Sequence, residues 1–369
     1  FFTQVMSQDV PIGKWRDHLP YRTIKHLAET QNYLYAASNS GVIRVDLEDN
    51  SAQRFSTVEG LVDVEVSAME ASPDGSTLLI GYKSGVIDVV LDNRIIHVYD
   101  VFRSSVIGDK TINHFLFYNN LCYISTGFGI VSYDYKNLET RETFLIGENG
   151  DYVFVNQTHF FQDTLWAATN EGLYRAPYAS FLYNPSSWAR DTTLPDSAKP
   201  YNMVSSLGNE LMVNVYSPFF RQDTLYSRVN GKWGINPFRI GESNKSIESY
   251  GDKVIISAST SVEVYDIDWS IIRREFSFGE SMGISPEIAK FGKNDILWIG
   301  DDRYGLGKNF ETNSTEVINL GGPSSKRAFN VFYDNDLVFV TGGAHAENWF
   351  TLKQQAEFSY FKENDIRGY

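Results

Sequence analysis

The 369-residue sequence is poor in the features that define several classes of protein. Cys122 is its only cysteine, so no intrachain disulfide can form, and the hydrophobic run around it predicts a buried, unreactive thiol. No stretch approaches the roughly 20 apolar residues of a membrane-spanning helix. The 32 lysines and arginines are outnumbered by 46 aspartates and glutamates, which gives a formal net charge of −14. Nucleic-acid binding, which needs clustered positive charge, is therefore not expected.

The sequence also lacks the motifs of common catalytic and metal sites. Its six histidines have neither the helical i, i+4 spacing nor the neighbouring cysteines and carboxylates of a metal site. They are His18, His26, His97, His114, His159 and His345. Gly-x-Ser-x-Gly and a glycine-rich phosphate loop are absent, and Asp266-Ile-Asp268 is too short for a calcium loop. We therefore expect no cofactor, no metal and no enzymatic activity.

What the sequence does contain is a repeated phrase: a hydrophobic run, a small residue, a short polar gap, glycine and a second hydrophobic run. It ends at glycines 44, 44 and 43 residues apart, namely Gly41, Gly85, Gly129 and Gly172. Aromatic residues make up 15% of the chain, which favours β-strands. A period in the forties built from short strands and turns is typical of the blades of a β-propeller.

Later copies of the phrase extend the count to seven. They begin at Gly208, Gly251 and Asp295, and an eighth, divergent copy starts at Val331. We predict an all-β protein: a seven-bladed β-propeller over residues 8–320, followed by the beginning of a second propeller over 321–369. The segment Ser314–Leu320 is predicted to be the outer strand of the seventh blade.

The first residues of the chain suggest export. Residues 1–7 resemble the end of a signal peptide, with Val5 and Ser7 at the −3 and −1 positions of a cleavage site before Gln8. An arbitrary starting point is the alternative. Gly13-Lys14-Trp15 resembles the outer strand at Gly231-Lys232-Trp233 and could complete a blade and close the ring, although the sequence does not say which blade.

Two groups of residues are candidates for ligand sites. Trp166 and Trp298 occupy the same place in their repeats, but Tyr35, Leu79 and Tyr123 fill that place elsewhere, so we interpret it as core between blades rather than as a sugar-stacking pair. Basic residues are densest at two places, which are also compatible with ordinary solvated strand edges. These are Lys14, Arg16, Arg22 and Lys25 near the start, and Arg273-Arg274.

The longest irregular insertion, Tyr178–Pro200, separates the fourth and fifth repeats. It contains Asp191-Thr192-Thr193 and Asp196-Ser197-Ala198, which resemble the O-glycosylation signal of exported proteins in the Bacteroidota. Thr192 and Ser197 are the predicted acceptors, and an ordinary surface loop is the alternative, because three-residue matches arise by chance.

The repeat resembles the regulator-propeller repeat, which is shared by periplasmic sensors of hybrid two-component systems and by the PorZ family of the type IX secretion system. Three stretches are similar to the PorZ family in particular: Ile12–Tyr21, Glu59–Ser67 and Ile107–Asn113. The resemblance covers essentially the whole chain. The opening decapeptide is its most specific part, because the repeat alone is common to both groups.

This resemblance implies a non-enzymatic protein of the outer-membrane surface or periplasm, with two propellers and a C-terminal β-sandwich sorting domain. It implies a complex with the sortase-like peptidase PorU, the outer-membrane barrel PorV, and PorQ. It also implies binding and presentation of an anionic lipopolysaccharide for attachment to cargo. No ligand-contact residue carries over to a position in this chain. The alternative function is the periplasmic glycan-sensing propeller of a hybrid two-component system.

Overall fold

The computed structural model describes residues 17–92, 94–279, 282–311, 314–320, 322–323, 330–335, 337–342, 358–362 and 365–368. These residues form an all-β, propeller-like fold with a single turn of α-helix, Asp100–Arg103 (α1). Short 3₁₀ turns occur at Glu148–Gly150, Pro185–Ser187, Pro237–Arg239 and Lys293–Asp295. No helix in this part of the chain has the length and apolar character needed to cross a membrane. The all-β prediction is confirmed.

Eight sheets of four antiparallel strands follow one another, each in chain order, with one extra hairpin before the seventh. The first four sheets contain β1 (Ile24–Glu29), β2 (Tyr33–Ser38), β3 (Val42–Asp46), β4 (Ala52–Phe55), β5 (Val66–Ala71), β6 (Leu78–Tyr82), β7 (Ile87–Leu91), β8 (Arg94–Val98), β9 (Ile112–Tyr118), β10 (Leu121–Thr126), β11 (Gly129–Asp134), β12 (Glu139–Phe144), β13 (Val155–Phe161), β14 (Thr164–Thr169), β15 (Gly172–Pro177) and β16 (Ala189–Arg190). The others contain β17 (Tyr201–Leu207), β18 (Glu210–Val215), β19 (Thr224–Val229), β20 (Lys232–Ile235), β21 (Asn244–Tyr250), β22 (Lys253–Ala258), β23 (Val262–Tyr265), β24 (Ile271–Glu275), the hairpin β25 (Ser277–Phe278) and β26 (Met282–Gly283), β27 (Pro286–Phe291), β28 (Leu297–Asp301), β29 (Gly305–Glu311), β30 (Ser314–Ile318), β31 (Asn330–Asp334), β32 (Leu337–Thr341), β33 (Phe358–Lys362) and β34 (Asp365–Gly368).

The repeated phrase forms the hairpin between the second and third strand of a sheet. Its small residue closes the turn: the Thr126 hydroxyl donates to the Gly129 carbonyl at 2.9 Å, and the Thr169 hydroxyl to the Gly172 carbonyl at 2.7 Å. Glycine is needed at 172 because its φ is +134° and a Cβ there would lie 2.5 Å from the Ser197 carbonyl oxygen. The phrase therefore recurs because each sheet makes the same turn.

The first strands of the first seven sheets contact one another in a cycle: β1 contacts β5, and then β9, β13, β17, β21 and β27 follow in order, with β27 contacting β1 again. They surround a central channel. The hydrophobic core is divided into clusters that lie between neighbouring sheets; one, for example, joins Trp298 and Leu306 of the seventh sheet to Ile24 and Ile43 of the first. Each of these seven sheets thus packs against a neighbour on both faces.

Each of these first strands contains a β-bulge at its second residue, where the register with the second strand shifts. The bulged residues are Lys25, Ser67, Asn113, Asn156, Asn202, Lys245 and Glu287. Three of them donate to a main-chain carbonyl of the next sheet: Ser67 Oγ to Ile112 at 2.6 Å, Asn113 Nδ2 to Val155 at 2.7 Å, and Asn156 Nδ2 to Tyr201 at 2.8 Å. At these three positions the bulge therefore ties a sheet to the one that follows it.

The seventh and first sheets are also tied together. The Thr23 hydroxyl donates to the Asp302 carbonyl at 3.1 Å, and the Lys293 main-chain N–H donates to the Glu29 carboxylate at 2.9 Å. The outer strand of the seventh sheet is β30, as predicted from Ser314–Leu320. The predicted strand at Gly13–Trp15 and the signal-peptide residues 1–7 lie outside the described residues.

The two tryptophans and the cysteine are core residues, as predicted. Trp166 is 2% exposed and Trp298 is 1% exposed, so neither can stack on a sugar at the surface. Cys122 is fully buried and unpaired, and burial raises the pKa of its thiol well above the ordinary value. The interpretation of these positions as packing is confirmed.

The insertion Tyr178–Pro200 is not wholly irregular, which corrects the sequence interpretation. Its residues Ala189–Arg190 form β16, the fourth strand of the fourth sheet. Trp188 is buried and donates its indole N–H to the Leu182 carbonyl at 2.8 Å. The sequence does not reveal this strand, because two exposed residues are too few to show the alternation of buried and exposed positions that marks a strand.

The eighth sheet, β31 to β34, has the strand order of the others. Its first strand leaves Val331, Phe332 and Tyr333 about two-thirds exposed, at 61%, 61% and 65%. Phe361 of this sheet contacts His18, with 5.2 Å between the ring centroids. The domain division between residues 320 and 321 stays a prediction.

Trp166→Ala should lower the free energy of unfolding by about 3–5 kcal/mol, because it leaves a cavity between the fourth and fifth sheets. Urea denaturation measures the change. Phe220→Ala is the matched control, since Phe220 is 68% exposed and its loss should change stability by less than about 0.5 kcal/mol. Equal effects of the two substitutions would contradict the assignment of Trp166 to the core.

Asn113→Ala and Asn156→Ala should each cost about 1–3 kcal/mol, because each removes the side-chain donor to a carbonyl of the neighbouring sheet. Thermal unfolding of the single variants checks this. Asn209→Ala, in the exposed turn between β17 and β18, should have little effect. If Asn209→Ala proved as costly as the other two, the bulges would not be the ties between sheets.

Candidate functional site

Each of the seven first strands places one residue at the same height along the channel, which we call the channel level. These residues pair, in the second strand, with Tyr35, Leu79, Tyr123, Trp166, Met212, Ile255 and Trp298. The seven residues at this level are Ala28, Glu70, Leu116, His159, Ser205, Glu248 and Lys290. The seven side chains at this level therefore differ in chemistry, although the backbone around them repeats.

Lys290 joins three sheets across this level. Its Nζ lies 2.5 Å from Glu70 Oε2 and 3.6 Å from Glu248 Oε2. Ala28 occupies the same level on the first sheet, between Lys290 and Glu70 in the ring order, and its small side chain leaves room for the lysine to cross. Burial alone would lower the pKa of Lys290, but the two carboxylates outweigh it and hold that pKa above its ordinary value. Burial raises the pKa of Glu248 against the attraction of Lys290.

Three histidines in the channel are neutral at pH 7. Burial lowers the pKa of His26 to about 4, that of His114 to about 3 and that of His159 to about 4, and Lys290 lowers the first two further. His159 Nε2 lies 2.8 Å from Ser206 Oγ. Histidine, cysteine, aspartate and glutamate form no group suited to a metal ion within the described ranges. These imidazoles can donate and accept hydrogen bonds without adding charge.

A cavity of about 260 Å³ lies in the channel beside Lys290. Its polar lining comprises Glu70, His114, Gln157, Thr158, His159, Ser205, Glu248 and Ser249. The sequence did not reveal this site, because its residues come from five sheets and each repeat carries a different side chain. The signal that could have found it is the common register of the first strands.

The turns at one end of the propeller-like fold are rich in carboxylates. We call the end formed by the first-to-second and third-to-fourth strand turns the turn face, and the opposite end, where the sheets are linked, the link face. The loops of the turn face carry nine carboxylates and two lysines. The carboxylates belong to Glu48, Asp49, Asp74, Asp92, Asp163, Asp252, Asp266, Asp268 and Asp295, and the lysines are Lys136 and Lys293.

The two basic stretches noted in the sequence differ in their pairing. Arg273 Nε lies 3.0 Å from Glu275 Oε1, and Arg274 Nε lies 2.8 Å from Glu263 Oε1, so both are paired, although Glu263 also pairs with Arg239. Lys14 and Arg16 lie outside the described residues.

At the link face, Arg22 and Lys25 lie where the first and seventh sheets meet, next to the loop that contains Arg303. None of the three has an ion-pair partner within the described part of the chain. We call these three residues the entry patch.

The predicted glycosylation residues are both in the insertion Tyr178–Pro200. Thr192 is exposed and Ser197 is half-buried. The preceding Asp191 is buried, and its carboxylate accepts from the Thr193 main-chain N–H at 2.9 Å and from the Trp233 indole at 3.3 Å. Asp191 therefore has a structural role, and modification of Thr192 and Ser197 stays a prediction.

Comparison with known proteins gives one family and several structural neighbours. Residues 22–189 match the family model for the N-terminal β-propeller domain of PorZ from the type IX secretion system. No curated protein matches the sequence. The solved structure of PorZ from Porphyromonas gingivalis is similar over 97% of this chain, with 16% identity and a TM-score of 0.77. The match covers 46% of that PorZ chain, so this chain spans less than half of its length.

Two other solved structures resemble the chain less closely than PorZ does. The extracellular domain of BT4673 from B. thetaiotaomicron, described as a hybrid two component system, has 13% identity and a TM-score of 0.55, and the match covers 95% of this chain and 47% of that one. A chain of the mitotic checkpoint complex has 12% identity and a TM-score of 0.56, over 84% of this chain and 95% of that one. At such identities the likeness shows the fold alone. The family match over residues 22–189 goes further and confirms the prediction of a PorZ-type protein for this part of the chain.

Proposed function

We propose that this chain is a non-enzymatic, exported scaffold of a type IX secretion attachment complex that binds an anionic lipopolysaccharide and presents it for anchoring of cargo. The observation that carries the proposal is the match of residues 22–189 to the N-terminal propeller domain of PorZ. The P. gingivalis PorZ is described as an essential bacterial surface component of the type IX secretion system. The outer-membrane surface or periplasm is the corresponding location for this chain.

The charges indicate where an anionic glycan would bind. The turn face repels anions, because nine carboxylates surround its two lysines. Arg273 and Arg274 are already paired. The entry patch of Arg22, Lys25 and Arg303 has no such neutralisation, and it lies on the opposite end of the channel from the acidic turns. We therefore assign the anionic ligand to the link face.

We further propose that the first seven sheets are the blades of one closed propeller and that the eighth begins a second. The cyclic order of contacts from β1 to β27 and back supports the count of seven. The eighth sheet leaves Val331, Phe332 and Tyr333 exposed. In the first seven sheets, neighbouring sheets cover such side chains, and further blades would cover these.

A protein partner would find a suitable surface at the link face of the fifth sheet. The loop between β18 and β19 exposes Tyr216 at 56%, Phe219 at 65% and Phe220 at 68%. Adjacent exposed aromatic side chains of this kind commonly mark protein interfaces. We propose PorU, PorV and PorQ as the partners of the complex.

The second candidate function is the sensor domain of a hybrid two-component system, which the similarity to BT4673 favours. The two functions differ in what the propeller must assemble with. A sensor signals through a membrane helix to a kinase, whereas a scaffold co-purifies with the secretion proteins. Isolation of the native protein and identification of its stable partners distinguishes them.

Reversal of the entry patch, Arg22→Glu with Lys25→Glu and Arg303→Glu, should weaken binding of anionic lipopolysaccharide by at least about tenfold, because three attractive charges become repulsive. Surface plasmon resonance on purified lipopolysaccharide measures this, and the wild-type affinity should fall as salt is raised. Lys232→Glu, an exposed charge reversal in β20, is the control. Unchanged binding by the triple variant would place the ligand elsewhere.

Phe219→Ser combined with Phe220→Ser should reduce co-purification of PorU, PorV or PorQ from the native host while leaving stability within about 0.5 kcal/mol, because both side chains are exposed. Quantitative mass spectrometry of the affinity-purified complex measures the loss. Phe181→Ser, which removes a side chain that is 71% exposed near the turn face, is the matched control. Equal recovery of partners with both variants would rule out the β18–β19 loop as the interface.

A further inference from the structure

The chain contains two Asn-Gly sequences, Asn149-Gly150 and Asn230-Gly231. Both asparagines are exposed and lie in turns, with φ angles of 56° at 149 and 50° at 230. Asparagine before glycine is open to an intramolecular reaction, because glycine has no side chain to shield its main-chain nitrogen from the asparagine side chain. The two sequences therefore share the same chemistry, and the structure around each decides how readily it reacts.

The reaction replaces the side-chain amide with a carboxylic acid and needs only water. The main-chain nitrogen of the glycine loses its proton to solvent and attacks Cγ of the asparagine. The new C–N bond closes a five-membered succinimide ring, and the side-chain nitrogen takes up a proton from solvent and leaves as ammonia. Water then opens the ring at either carbonyl, which gives aspartate or isoaspartate. A glycine N–H that donates a hydrogen bond is protected, because this bond must break before the nitrogen attacks.

The turn at Asn149 is held by hydrogen bonds and packing. The Gly150 main-chain N–H donates to the Gly147 carbonyl at 3.1 Å, and the Gly147 N–H donates to the Asp151 carbonyl at 3.2 Å. A Cβ at Gly150 would lie 3.2 Å from Pro185 Cγ, so the neighbouring insertion partly covers this glycine. The attacking nitrogen at this sequence is therefore hydrogen-bonded and partly covered.

The turn at Asn230 has neither restraint. Asn230 and Gly231 are the two exposed turn residues between β19 and β20, whose last ladder pair is Val229 with Lys232. Within the part of the chain that the structure describes, the Gly231 N–H donates no hydrogen bond. A Cβ at Gly231 would meet only Arg228 Nη2, at 3.8 Å. Since β20 is a four-residue outer strand with three exposed residues, little holds this turn closed.

We propose that Asn230 is a site of spontaneous covalent modification, in which the Gly231 main-chain nitrogen closes a succinimide that water converts to aspartate and isoaspartate. Asn149 is its protected counterpart. The modification needs no enzyme. It is independent of the proposed scaffold function and of the glycosylation predicted at Thr192 and Ser197.

The products change the edge of the fifth sheet in two ways. Aspartate places a carboxylate in the turn beside Arg228, which has no ion-pair partner within the described ranges and lies 5.5 Å from the ring centroid of the buried Trp166. Isoaspartate instead carries its Cβ in the main chain. This lengthens the turn by one carbon, so it disturbs the pairing of Val229 with Lys232 that a two-residue turn requires.

The test is incubation of the folded full chain at mildly alkaline pH, with peptide mass spectrometry of samples taken over time. Asn230 should be converted about three- to tenfold faster than Asn149, which is the effect of one protecting hydrogen bond on a rate. The peptide containing residue 230 should give two separable products, aspartate and isoaspartate. Equal rates at the two asparagines, faster conversion of Asn149, or an unchanged Asn230 would each overturn the proposal.

The same incubation in urea shows whether the structure causes the difference. Both turns are lost in the unfolded chain, so the two rates should converge. If Asn230 kept its full advantage in urea, the difference would come from the neighbouring sequence and the structural argument would be wrong.

Asn230→Gln is the matched control, because it keeps a side-chain amide but would have to close a less favourable six-membered ring. Its peptide should keep its mass over the period in which the wild type is converted. Conversion of this variant at the wild-type rate would show direct hydrolysis of the amide and refute attack by the Gly231 nitrogen. A wild-type rate that failed to rise with pH would refute it as well, since the attacking nitrogen must first lose its proton.

Discussion

The structure depends on one local irregularity, the bulge at the second residue of each first strand. A bulged residue is left out of the ladder of its own sheet, so its side chain can reach the neighbouring sheet. Asn113 and Asn156 use this freedom to bond a main-chain carbonyl of the next first strand. Because the accepting carbonyl precedes the next bulge, the bond sets the height of one strand against the next. The bond is made at three of the seven junctions between sheets, and there it accounts for the common level of the channel residues.

Once the level is set, the sizes of the side chains decide which sheets meet across the channel. Lys290 reaches Glu70 past the first sheet because that sheet presents only Ala28 at the shared level. A larger residue at 28 that separated these charges would leave Glu70 without its ammonium partner in a partly desolvated channel, which is costly, whereas Lys290 would keep Glu248. The cross-channel contact thus depends on one small residue that takes no part in it.

The sequence predicted the parts of the fold that repeat, and it failed where the repeat carries no constraint. The second strands, the glycine turns and the bulky residue at the position of Trp166 recur because every sheet packs against another in the same way. The channel level holds alanine, glutamate, leucine, histidine, serine and lysine, since the channel does not demand one shape, and no periodicity marks it. Arg274 looked like free positive charge because its partner, Glu263, is placed opposite it only by the pairing of β23 with β24.

The acidity of the turn face is only partly explained by the fold. Its tight turns place Asn119, Asn120, Asp163 and Asp295 at positive φ, between 47° and 63°, where asparagine and aspartate are tolerated better than most residues. Asparagine meets that need as well as aspartate, as the pair at 119 and 120 shows. The backbone therefore accounts for the short polar side chain but not for its charge.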